Sequence, residues 1–160
     1  GQPFLKTRPQ SSLPKSKTTR SIEINDKIME ISKQEFEAII RLSPEERYAY
    51  FIKRICDWEC IWTLFDDDSI ILNEGKNGEL YVILFPFNDF ASYYINQTKA
   101  MSGSLCKCFE LAEFLHTTIG KLQAHNINKA LIFPVPDGFG LNVSISTLID
   151  DINEELENYK

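Results

Sequence analysis

The chain has 160 residues, 43% of them apolar and 25% charged, with a formal net charge of −6. These proportions fit one globular domain with at most a tail, and they exclude a collagen-like repeat, a long coiled coil and a wholly disordered chain. No stretch approaches the roughly 18 apolar residues of a membrane helix, and no apolar leader segment is visible, so no membrane span is expected.

The charge is unevenly placed. Residues 1–20 carry Lys6, Arg8, Lys15, Lys17 and Arg20 and no acid, which leaves the other 140 residues at −11. The same stretch holds Pro3, Pro9 and Pro14 and six Ser or Thr residues. Such a composition buries too little apolar surface to offset its ordering entropy. Residues 1–20 therefore read as a basic Pro/Ser/Thr-rich tail or linker, solvated by default. It could dock on the acidic body, on nucleic acid or on anionic lipid. The body's own charge argues against nucleic acid, since phosphates are repelled. Residues 21–32 form an ambiguous connector, a short strand at 21–24 or a loop, and 33–159 reads as a single domain.

Phe36, Ile39 and Ile40 at helical spacing predict a short helix from Lys33 to Leu42. Ser43-Pro44-Glu45-Glu46 is the clearest local signal, because Ser43 can cap, Pro44 suits the first helical position and Glu46 completes a capping box. The helix that follows shows Tyr48, Phe51, Ile52, Ile55 and Cys56 as one stripe. Strands are expected at 61–65, 69–72 and 79–85, joined by turns at Asp66–Asp68 and Asn73–Gly78, as an antiparallel meander. Asn88 or Asp89 is expected to cap a helix over 90–96. A strand at 105–109, a helix from Leu111 towards Asn126, strands at 129–133 and 141–143 and a final helix capped by Ser144 or Ser146 complete the series. Strands and helices mix without regular βαβ alternation. The expected fold is α+β: an antiparallel sheet of about five or six short strands with about four or five helices packed on it.

The search for chemistry is brief. Cys56 and Cys60 are spaced C-x3-C, Cys106 and Cys108 C-x-C; neither has the C-x2-C spacing of a zinc knuckle, so core packing is expected and no metal. There is no Gly-rich phosphate loop and no nucleophile elbow, so no cofactor is expected. His116 and His125 suit surface and helix-end positions. Among the carboxylates, Asp57, Glu59, Asp89 and Asp137 stand beside aromatic or proline-rich positions, where burial raises a pKa.

The aromatic residues form the most distinctive pattern. Trp58 and Trp62 are four apart, and Leu84-Phe85-Pro86-Phe87 and Ile132-Phe133-Pro134-Val135-Pro136 are two similar strand endings, with Phe139 close behind. If the two strands are neighbours, both Phe-Pro ends lie at one end of the sheet, because proline stops the ladder there. The set Trp58, Trp62, Phe85, Phe87, Phe133 and Phe139, with Asp57 and Asp137, is therefore the candidate binding surface; the competing expectation is that most of these rings fill the core.

Ser43-Pro44-Glu45-Glu46-Arg47-Tyr48-x-Tyr50-Phe51-x-Lys53-Arg54, followed by Asp57-Trp58-Glu59-x-x-Trp62-x-Leu64, resembles a family of short bacterial proteins known as domain-of-unknown-function family 2750. Phe85-Pro86 with Phe90-Ala91, and Phe133-Pro134-x-Pro136-Asp137-Gly138-x-Gly140 before Ser144 and an acidic helix, fit the same order. The resemblance spans about residues 33–159, and the four cysteines and the N-terminal extension depart from it. It implies a small cytoplasmic bacterial protein and brings no activity, cofactor or catalytic residue.

Three functions follow. The first is a non-catalytic module, immunity- or adaptor-like, that binds a protein partner of basic character through the aromatic surface. The second is a hydrolase or small-molecule binder with a carboxylate site near Asp57, Glu59 or Asp137. The third is a symmetric homodimer formed through exposed rings.

Overall fold

A computed structural model describes residues 4–9 and 31–160. The strand or loop expected at 21–24 and most of the connector lie outside the described residues. Among the described residues seven strands form one sheet: β1 (Leu5–Pro9), β2 (Cys60–Asp66), β3 (Ser69–Glu74), β4 (Leu80–Phe85), β5 (Leu105–Glu110), β6 (Lys129–Ile132) and β7 (Leu141–Ser144). The helices are α1 (Lys33–Ile40), α2 (Pro44–Trp58), α3 (Asn88–Gln97), α4 (Leu111–Glu113), α5 (Ile119–Ala124) and α6 (Ile145–Leu156). A π-helical turn, Phe114–Thr118, makes α4 and α5 one continuous run.

The α+β class holds, but the sheet is mixed where a purely antiparallel one was expected. β4 and β6 pair in parallel, Leu84 opposite Ile132, and β1 runs parallel to β3, Leu5 opposite Ile70. The physical reason lies in the connection: residues 86–128 separate β4 from β6, ample for the crossover that parallel pairing needs, whereas a tight turn enforces an antiparallel pair. β2, β3 and β4 pair antiparallel in all three combinations. The pairings use different stretches: Leu80–Val82 of β4 lies on β3, and Leu84 and Phe85 lie on β2.

Of the basic segment 1–20 only residues 4–9 are described, and over these the solvated reading does not hold. Leu5–Pro9 is a strand of the sheet, and Phe4 O accepts from Ile70 N at 2.8 Å. The acidic body holds it: Lys6 and Arg8 both reach the Asp66 carboxylate at 3.0 Å, and Arg8 also donates to Ala100 O and Ser104 Oγ. These two cations hold the Asp66 carboxyl below its usual range, chiefly through their hydrogen bonds to it.

Cap chemistry sets several boundaries. Ser43 accepts from Glu46 N while Glu46 accepts from Ser43 N, with Pro44 in the first turn, as the sequence predicts. Ser144, not Ser146, caps α6. Neither Asn88 nor Asp89 caps α3. Phe87, in extended backbone, occupies that position without a side-chain cap, and Asn88 Oδ1 instead accepts from Cys106 Sγ and Ser92 Oγ.

Helices lie on both faces of the sheet. On β5, Cys106 contacts α3 and Phe109 packs on Phe114 of the π turn, 5.9 Å between ring centres. Residues 106 and 109 are an odd number apart on a strand, so the two contacts are on opposite faces. The core gathers Phe51, Ile55, Ile61, Leu64, Ile83, Phe85, Phe90, Phe114 and Phe133, all essentially without exposure.

Candidate functional site

β4 and β6 are parallel neighbours, so the two Phe-Pro segments do end side by side. Phe85 and Phe133 ring centres are 6.2 Å apart, and Phe133 N donates to Leu84 O at 2.8 Å. Their side chains, with Phe87, are buried. Phe90 links them, 4.6 Å from Phe133 and 6.0 Å from Phe87, and Tyr50 closes the cluster edge-on. α1 docks on it through Phe36, stacked on Phe90 at 5.0 Å. Three of the six candidate rings are therefore interior, Trp58 and Trp62 are half-buried, and Phe139 is exposed.

The remaining candidates divide into two places. At the C-terminal end of α2, Trp58 is half-buried and stacks on Phe87 at 3.8 Å. Arg54 lies over both Tyr50 and Trp58 and pairs with Asp57 at 3.3 Å and Glu35 at 3.6 Å. Tyr50 donates to Glu35, and burial first and this carboxylate second push its hydroxyl well above the usual range. Trp62, half-buried, stands across from Phe85 on one side and Cys108 on the other.

The second place is the loop from Pro134 to Gly140. Phe139 is 75% exposed, and Asp137 beside it is exposed too. Beneath the loop lies Arg47, 3% exposed. Its guanidinium donates to Phe133 O at 3.1 Å and to the carbonyls of Leu42 and Phe139, and it sits 5.6 Å from the Phe133 ring centre. Burial draws the Arg47 pKa below the ordinary arginine value. Phe133 itself has φ 55, a left-handed conformation that costs a bulky residue about 1–2 kcal/mol. Gly140 is required by close approach: a Cβ there would lie 2.5 Å from Ile132 O and 2.9 Å from Pro134 N.

Arg47 and Trp58 are eleven residues apart on α2, about 16 Å along the axis. The Phe139 loop and the Trp58 end are thus separate surfaces, not one aromatic edge. Arg47 was the residue missed. A signal for it existed, since it precedes Phe51 by four and Ile55 by eight and so falls on the apolar stripe, where a cation needs an explanation.

The cysteines differ from expectation as well. Cys56 is buried, but Cys60 and Cys106 are half-buried and Cys108 is exposed. His125 sits at the end of α5 with Nδ1 2.9 Å from Lys121 O, and its ring lies 5.6 Å from that of Phe4. Among the described residues, no helix is long and apolar enough to cross a membrane.

The fold and site define a small α+β protein built on a mixed sheet, with an aromatic core and one ring held out on a pinned loop. The chain belongs to the family described as protein of unknown function (DUF2750), whose model matches residues 48–152. That span contains β2 to β7 and the whole Phe139 loop, while Ser43 to Arg47 lie just ahead of it. No curated protein and no solved structure matches the chain.

Proposed function

We propose that the protein is a non-catalytic recognition module that engages a protein partner through Phe139 and the Pro134–Gly140 loop. One observation carries this reading: a phenyl ring 75% exposed on a backbone fixed by a buried arginine. An exposed large ring on a loose loop would be unremarkable. Here Arg47 bonds the carbonyls of Phe133 and Phe139; a backbone tied in this way has less entropy to lose on binding, and an aromatic anchor is the usual hot-spot chemistry. The −11 of residues 21–160 adds a preference for basic partners and faster encounter with them.

The carboxylates favour the hydrolase reading less. Asp57, Glu59 and Asp137 are all exposed, and Asp57 is paired with Arg54, whereas a general acid is tuned by burial.

The test places a photo-crosslinking benzoylphenylalanine at position 139, with Glu154 on the far face of α6 as control. Adducts to a different polypeptide from 139 and none from 154 support the proposal. Equal labelling, or none, overturns it. Adducts to a second copy of the chain alone would transfer the surface to a homodimer. Phe139→Ser should change the unfolding free energy by no more than about 0.5 kcal/mol, and should abolish crosslinking from a probe at Asp137.

A further inference from the structure

The four cysteines look like two local pairs in sequence, but the sheet joins them differently. Cys60 faces Glu110, Trp62 faces Cys108 and Leu64 faces Cys106 across β2 and β5. Strand alternation then puts Cys60, Trp62, Cys106 and Cys108 on one face. Cys60 and Cys108 are diagonal neighbours there, with their Sγ atoms 3.9 Å apart. We propose that Cys60 and Cys108 form a reversible redox site that takes a low-molecular-weight disulfide of the glutathione class as oxidant.

The neighbouring thiols explain the selectivity. Cys106 and Cys108 are two residues apart on one strand, a spacing of about 6.8 Å that the extended backbone fixes, whereas the spacing of Cys60 and Cys108 runs between two strands and can shorten toward the Cβ separation of about 4 Å that a disulfide needs. Cys106 Sγ is also engaged with Asn88 Oδ1 at 2.9 Å, and burial pushes its thiol up. Cys56 donates to Ile152 O, and burial raises it to about 11. Cys108 is the exposed member and the entry point.

Its thiolate attacks one sulfur of the oxidised reagent, the reagent's S–S bond breaks, and one glutathione thiol leaves with a proton. The Cys60 thiolate then attacks the Cys108 sulfur of the mixed disulfide and expels the second glutathione. Two electrons and two protons pass to the reagent, and one S–S bond is formed for the one broken. β5 has a strand partner on one side only among the described residues, so it can move the distance that closure requires. A diagonal pair is normally about 7–8 Å apart in a sheet. The strain of drawing it in makes the bond easy to reduce, which is the character of a labile rather than a structural disulfide.

Incubating the full chain with oxidised glutathione, then mapping peptides without reduction, tests this directly. The expected product has lost two hydrogens, links the Cys60 and Cys108 peptides, and reverts with excess reduced glutathione. Trp62 stands across from Cys108, so its fluorescence should fall on oxidation and recover on reduction. Cys106→Ser should leave the link intact, while Cys60→Ser should stop at glutathione bound to Cys108. Recovery of wild-type protein with its thiols unreacted, with glutathione on Cys108 alone, or with a Cys106–Cys108 link overturns the proposal.

Discussion

Two segments of nearly the same sequence meet different fates. Leu84-Phe85-Pro86-Phe87 closes β4 and passes straight into α3, with extended Phe87 at its start and no side-chain cap. Ile132-Phe133-Pro134-Val135 closes the parallel neighbour β6, but Phe133 turns left-handed at φ 55 and an irregular loop follows. Both prolines end a ladder, so the stop itself is shared. The two ends differ above the sheet: Trp58 stacks on Phe87 at the first end, whereas Arg47 hydrogen-bonds to the carbonyls of Phe133 and Phe139 at the second. Pro136, Gly138 and Gly140 disfavour a helix after the second stop, and the hydrogen bonds from Arg47 hold that segment as a presented loop.

Removing Arg47 should have the largest effect. Arg47→Leu keeps an apolar stem but leaves the carbonyls of Leu42, Phe133 and Phe139 without their charged donor, so we expect a loss of about 3–5 kcal/mol, the sum of several unmade hydrogen bonds. Urea unfolding should show a lower midpoint with an unchanged slope, and amide exchange should quicken across 134–140 but not across 86–90. Equal quickening at both ends would erase the distinction. Arg47→Lys should recover only part of the loss, because one ammonium cannot match a planar fork directed at several carbonyls. Gly140→Ala probes the same loop from its other side. The added Cβ would press on Ile132 O, and we expect about 1–3 kcal/mol of overpacking cost, read by the same unfolding midpoint.

The elements with strictly local causes were legible in the sequence. The Ser43 capping box, the meander from β2 to β4 and the helix–strand order through α6 follow from neighbouring residues. What could not be read required distant partners. The parallel pairing of β4 with β6 spans residues 86–128, and β1 is held by Asp66, far from Lys6 and Arg8 in the chain. The meeting of Cys60 with Cys108 depends on β2–β5 register, which no local spacing encodes. Within the candidate site, the side-by-side placement of the two Phe-Pro ends was legible. The burial of Phe85, Phe87 and Phe133 was open until α1, α2 and α3 covered them, and the 16 Å between Arg47 and Trp58 depended on which residue on α2 holds the loop.

The smallest effect sharpens how Arg47 is aimed. Arg47 N donates to Ser43 O at 2.8 Å, so the guanidinium springs from the first turn of α2, the turn that the Ser43 cap fixes. Ser43→Ala removes the acceptor for Glu46 N and should cost about 1 kcal/mol, a fall of about 3 °C in melting temperature for a chain of this size. If the cap only stabilises the helix, amide exchange should rise in residues 44–47 alone. If it also aims Arg47, exchange at 134–140 should rise with it while the turn into α3 stays unchanged. The second outcome is expected, because Leu42, whose carbonyl Arg47 also bonds, adjoins the cap itself.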